Sequence, residues 1–75
     1  MEPVHVADIQ KRNDEIIRIE ITEFKGKKLL NIRTWYKTDE GEFAPTKKGI
    51  ALGVEQYDEL KKAVDQAGQL ISNEL

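Results

Sequence analysis

The apolar positions of this chain fall into two regimes. Between Glu15 and Phe24, Ile17, Ile19 and Ile21 alternate with Arg18, Glu20, Thr22 and Phe24. That period of two marks a strand with one face turned to a core, and the β-branched residues suit it. "LLNIRTWYK" repeats the pattern, with Leu30 and Ile32 facing the core and Asn31, Arg33 and Trp35 on the opposite, exposed face. "KGKK" between them supplies a turn in which Gly26 is free to take positive φ. "TDEG" is a second turn, "EFAP" a short strand ending at Pro45, and "TKKGIALG" a fourth strand around Ile50 and Leu52. After Gly53 the spacing changes to steps of three and four, through Tyr57, Leu60, Val64, Ala67 and Ile71, widened by Ala63 and Leu70. This stripe predicts a helix from about Val54 to Ser72, with Gly53 as its N-cap and the Gln56 amide bonding back to it. Gly68, inside the helix, either weakens its last turns or admits another backbone closely. Consecutive, closely spaced strands favour a meander. The predicted fold is α+β: a four-stranded antiparallel β-sheet followed by one C-terminal α-helix, ββββα. "MEPVHVADIQKR" has no sustained period, so residues 1–13 read as an arm, with a short helical turn or an edge strand left open, and residues 14–75 as the single domain.

Composition adds a constraint on the core. Seventy-five residues make one domain. A chain of this size buries only about 60 % of its unfolded surface, so a second copy is the expected extension of its core. Without cysteine, disulfides and thiolate metal sites are excluded and an intracellular setting fits. No apolar run approaches the ~18–20 residues of a membrane span and no signal-peptide core is present, so a cytoplasmic protein is expected, nucleoid-associated if bacterial.

Charge changes the picture further. The formal net charge is −2, yet residues 1–17 carry −2, residues 18–48 carry +3 and residues 49–75 carry −3. A segregated field of this kind binds polyanions despite an acidic total. The stretch "FKGKKLLNIRTWYK", Phe24 to Lys37, holds five basic residues, three of the five aromatics and no acid. Exposed aromatic faces for bases beside cations for phosphates are the two components of a single-stranded nucleic-acid site. Phe24, Lys25, Lys27, Lys28, Arg33, Trp35 and Tyr36 supply both, and Lys47 and Lys48 extend the basic track. The competing view is a solvated basic sheet face with Trp35 or Tyr36 capping the core. Catalysis is poorly served: His5 is the only histidine, Ser72 the only serine, and neither has a partner in view. The acids of "TDEGE" lack calcium-loop spacing. No enzyme activity, metal or cofactor is expected.

The segment "EFKGKKLLNIRTWYKTDEGEFAPTKKGIALGVEQYDELKKAVD" resembles the core of the positive cofactor four family of transcriptional coactivators, which bind single-stranded DNA. The "FKGK" turn, "IR" followed by paired aromatics, "P…KKGI.L" and "EQ[aromatic]..LK" carry the likeness, in order and without gaps over residues 14–71. The resemblance implies a strongly curved sheet, protomers paired through their helices, and channels holding a single strand. By position it implies Phe24 and Tyr36 as stacking aromatics and Lys25, Lys27, Arg33 and Lys48 as phosphate contacts, with Lys47 at a further basic position. The chain departs from the family in three places. Its Trp stands at position 35, so alternation favours Trp35 and the resemblance favours Tyr36. Thr22 and Ala44 replace basic residues, which implies a less positive groove. The Ser- and Lys-rich regulatory arm is missing, which implies a minimal core of bacterial or viral kind.

The resulting expectation is a homodimer, paired through Tyr57, Leu60, Val64, Ala67 and Ile71, that binds single-stranded DNA without sequence preference in transcription, replication or repair. RNA stays open as a partner beside DNA; no membrane or small-molecule substrate is expected. The alternative is a protein-interaction module that meets a basic partner through its acidic helix.

Overall fold

A computed structural model describes residues 2–74. Met1 and Leu75, the outer bounds of the two segments read from the sequence, lie outside the described residues. Four strands, β1 (Val4–Arg12), β2 (Glu15–Phe24), β3 (Lys27–Lys37) and β4 (Phe43–Gly53), lead through a 3₁₀ turn at Val54–Gln56 into α1 (Tyr57–Glu74). The strands form one sheet in the order β1-β2-β3-β4, each pair antiparallel. The ββββα meander read from the sequence is therefore the observed fold, but its strands are partitioned differently.

Two boundaries need correction. The N-terminal segment read as an arm is β1, an edge strand paired to β2 from Val4↔Ile21 to Arg12↔Glu15. Register shifts between His5 and Ala7 and between Gln10 and Arg12 interrupt the pairing. Each bulge breaks the alternation of faces, so the strand shows no period in the sequence. "EFAP" and "TKKGIALG" are one strand, β4. Its pairing moves from Trp35↔Pro45 to Arg33↔Gly49, so three residues, 46–48, stand opposite Thr34 alone. β4 is an edge, where Pro45 costs no ladder hydrogen bond.

The turns follow local chemistry. Lys25 and Gly26 close the β2–β3 hairpin as a two-residue loop with φ of 51° and 81°, the paired positive values of a type I′ turn that matches strand twist. At the β3–β4 turn Gly41 has φ 88°. Its amide donates to the Thr38 carbonyl at 2.9 Å, and the Thr38 amide donates to the Glu42 carbonyl at 2.6 Å. At the helix entry the Gly53 amide donates to Gln56 Oε1 at 3.1 Å, the back-bond the sequence led us to expect.

Register assigns the two faces. Ile17, Ile19 and Ile21 share one with Thr34, Ile32 and Leu30 of β3 and with Ile50 and Leu52 of β4. Ile16, Arg18, Glu20, Thr22 and Phe24 share the other with Trp35, Arg33, Asn31, Leu29 and Lys27. We call these the isoleucine face and the arginine face. The most buried apolar residue is Ile16, 3 % exposed, and it lies on the arginine face beside Trp35 rather than in the expected isoleucine stripe. On the isoleucine face only Leu30 among the apolar residues is buried. A groove of about 580 Å³ runs from Ile19, Ile21, Leu30 and Ile32 to Tyr57, Leu60 and Val64 of α1. The helix thus leaves most of that face uncovered.

Candidate nucleic-acid interface

The candidate residues form two clusters rather than one continuous platform. At the β2–β3 tip, Phe24 and Lys27 are a cross-strand pair flanking Lys25. Phe24 is 62 % exposed, and the Lys25 ammonium sits 5.3 Å from the centre of its ring, within cation–π range. Lys28, one residue on, registers with Glu23 on the isoleucine face.

The second group lies at the β4 bulge. Arg33 stands on the arginine face next to the three bulged residues, which include Lys47 and Lys48. A single residue, Thr46, organises it. Its hydroxyl donates to the Thr34 carbonyl at 2.7 Å and accepts from the Lys48 amide at 3.1 Å. Its carbonyl accepts from Arg33 Nη1 at 3.0 Å, while Arg33 Nε donates to Asn31 Oδ1 at 3.2 Å. The hydroxyl thereby replaces ladder bonds that the bulge removes. Next to it, a Cβ on Gly49 would stand 2.6 Å from the Ile32 carbonyl oxygen and 2.7 Å from Arg33 Cα. Only glycine lets β4 rejoin β3 this closely. No carboxylate pairs with Lys25, Lys27, Arg33, Lys47 or Lys48 among the described residues, so their charge remains available to an anion.

The two aromatics of β3 differ from expectation. Trp35 lies on the arginine face with Arg33, as alternation requires, but it is half-buried rather than exposed. Arg18, which faces Arg33 across the ladder, reaches diagonally to place its guanidinium 4.5 Å from the centre of the Trp35 ring. Asp8 of β1 holds that guanidinium from the other side, accepting from Nε at 2.9 Å and Nη2 at 3.1 Å. The hydrogen bond from Arg18 is the main reason the Asp8 carboxyl is lowered to about 2, and Asp8 raises Arg18 in return. His5 adds a contact to Asp8 at 3.0 Å. Tyr36 points to the isoleucine face opposite Glu15 and is 44 % exposed. It stands nine residue steps along β3 from Lys27, about 30 Å of strand, so Phe24 and Tyr36 belong to different ends and different faces of one protomer.

Of the helix residues expected at a dimer interface, Tyr57, Val64, Ala67 and Ile71 are exposed and Leu60 is half-buried. Thr46, Asn31 and the Asp8–Arg18 pair were not legible as site residues, because their roles arise from a bulge and from a strand without period. No group of three or more acidic or histidine side chains is placed to hold a metal among the described residues.

Comparison with known proteins gives a consistent set of relatives. The family model for the transcriptional coactivator p15 (PC4) matches residues 11–63. The chain is 53 % identical over 45 residues to the RNA polymerase II transcriptional coactivator KELP of Arabidopsis thaliana, covering 60 % of this chain and 27 % of that protein. It is also 34 % identical over 56 residues to an RNA polymerase II transcriptional coactivator of Drosophila melanogaster, and it spans only 27 % and 50 % of the length of these two relatives. Its fold is similar to that of a PC4 homolog from Burkholderia pseudomallei, with a TM-score of 0.81 at 26 % identity over 85 % of this chain and 86 % of that one. It is also similar to the protein of the MoSub1–DNA complex, with a TM-score of 0.60 at 32 % identity over 89 % of this chain and 83 % of that one.

Proposed function

The chain belongs to the transcriptional coactivator p15 (PC4) family, and from that premise we propose that it binds single-stranded DNA as a homodimer, without marked sequence preference. The family is one of non-enzymatic coactivators and DNA-binding proteins, which fits a transcriptional role. The observation that carries the DNA reading is the pairing of open cations with an open ring. Phe24, Lys25 and Lys27 at the hairpin tip, and Arg33, Lys47 and Lys48 at the bulge, are all without carboxylate partners among the described residues. Bases stack on the rings and the backbone follows the cations. A duplex, whose bases are already stacked, offers the rings nothing.

Pairing of two copies is supported by the shape of one. The radius of gyration is 14.3 Å, against about 11 Å for a compact chain of this length. Val64, Leu70 and Ile71 of α1 are 60 %, 63 % and 56 % exposed, and the groove beside the isoleucine face stays open. A second helix laid along that stripe completes a core that one chain leaves unfinished.

Fluorescence anisotropy of labelled oligo(dT) and of a labelled duplex, across a salt series, tests the reading. Neutralisation of about four to six phosphates gives a slope of log K against log[salt] near −3 to −4 for the single strand. Equal affinity for both, or a flat salt response, contradicts it. Val64→Asp is expected to yield a monomer or an unfolded chain, and a dimer mass unchanged in light scattering contradicts the helix pairing.

A further inference from the structure

Beyond the large groove, the isoleucine face holds a second, smaller hollow of about 320 Å³. Its floor is apolar, formed by Ile17 of β2, Ile32 of β3 and Ile50 of β4, with buried Thr34 beside them. Lys48 on β4 and Lys11 on β1 line it from the two edges of the sheet, and Arg33 and Gly49 complete the lining. These lysines stand on opposite edges of a four-stranded sheet, about 14 Å apart by strand spacing, a span that two flexible four-carbon stems can close over one bound group. Neither lysine is in an ion pair among the described residues. The hollow therefore joins an apolar floor to cations with no carboxylate partner among the described residues. The complementary occupant has an apolar face and one negative charge, which describes a single nucleotide of a DNA strand.

Two features tie the hollow to the interface already described. Lys48 belongs to the bulge cluster, its amide fixed by the Thr46 hydroxyl at 3.1 Å. Tyr36 lies two residues along β3 from Thr34, hence on the same face, and is open for the neighbouring base to stack. We propose that Lys11 is a DNA-contacting residue, forming with Lys48 a one-nucleotide subsite on the isoleucine face that extends the strand's path from Tyr36 towards β1. This rests on the single-stranded DNA reading above.

The experiment is oligo(dT) anisotropy over a salt series with the wild-type chain, Lys11→Gln, Lys11→Arg and, as a control on an exposed lysine of α1, Lys62→Gln. Loss of one phosphate contact from a single strand reduces the slope by about 0.7. Lys11→Gln is therefore expected to bind three- to tenfold more weakly with that smaller slope, while Lys11→Arg and Lys62→Gln keep the wild-type slope. Lys11 is exposed on an edge strand, so the melting temperature is expected to stay within a few degrees. A Lys11→Gln chain with wild-type affinity and slope overturns the subsite while leaving the DNA reading in place. A Lys11→Gln chain that changes dimer mass but not the slope also overturns it, because the hollow is then covered by the second copy. Failure of the wild-type chain to bind oligo(dT) overturns both.

Discussion

Two aromatic–cation pairs sit on the arginine face, and they differ in everything except composition. At the hairpin tip the Phe24 ring is 62 % exposed, and its cation, Lys25, has no acid partner among the described residues. At the other end of the sheet the Trp35 ring is half-buried beside Ile16, and its cation, Arg18, is clamped by the two hydrogen bonds it donates to Asp8. The first pair offers a ring face and a charge to a ligand. The second has spent both internally, as a clasp that holds β1 to β2 and β3. Aromatic and basic content alone therefore does not mark a binding surface. What decides is whether the cation already has its counter-ion.

Substitutions can break this contrast, and the largest effect is expected at Trp35. Trp35→Ala removes the ring on which Arg18 and Ile16 rest and is expected to cost about 2–3 kcal/mol of stability, read by thermal or urea unfolding. Phe24→Ala, at an exposed tip, is expected to leave the unfolding curve nearly unchanged. A Trp35→Ala chain as stable as wild type contradicts the clasp.

Next comes the bulge. Thr46→Val keeps the shape but deletes the hydroxyl that joins the Thr34 carbonyl to the Lys48 amide. We expect stability to fall by about 1–2 kcal/mol as the Thr34 carbonyl loses its donor, and oligo(dT) binding to weaken as Lys48 is released, with recovery of both in Thr46→Ser. Equal affinities of the Val and Ser variants contradict the role given to the hydroxyl.

The clasp also has a pH signature. The Asp8 carboxyl is lowered to about 2, so its contribution is complete above the ordinary carboxylate range and is lost as pH falls through the folded value. Asp8→Asn is expected to lower stability at pH 7 by about 1 kcal/mol, a modest figure for a partly exposed pair. Its deficit relative to wild type should shrink between about pH 4 and pH 2. A constant deficit across that window contradicts the assignment.

The smallest effect sharpens the other side of the contrast. Lys25 takes φ 51°, a conformation that asparagine tolerates far better in a type I′ turn. Lys25→Asn is expected to raise stability by about 0.5–1 kcal/mol while weakening oligo(dT) binding a few-fold. A gain in both stability and affinity contradicts a phosphate role for Lys25.

Which features the sequence made legible follows from where alternation survives. β2 and β3 pair without a shift over ten successive residues, so Ile17, Ile19, Ile21, Leu30 and Ile32 announced their common face, and Phe24, Arg33 and Trp35 theirs. The helix stripe from Tyr57 to Ile71 and the Gln56 back-bond were equally plain. β1 carries two register shifts and β4 one, and there the pattern failed: β1 read as an arm, with an edge strand left open, and β4 as two short strands. The count of four strands agreed because one omission and one division offset each other. Exposure was harder to read than face. Alternation placed Trp35 beside Arg33 correctly, yet the Arg18 side chain that lies over it, and the Asp8 carboxylate that holds Arg18, come from other strands, beyond the reach of local periodicity. Thr46 gave no signal either, since its role exists only once the bulge has formed.

The most direct test of the open pair is the affinity of Phe24→Ala for labelled oligo(dT), measured beside wild type at low salt with both chains shown to be equally folded. Loss of a stacked base at roughly 1–3 kcal/mol predicts binding at least fivefold weaker with the salt slope unchanged, because a ring and not a charge has been removed. Wild-type affinity in Phe24→Ala would contradict the account, since the exposed ring would then have no base to hold.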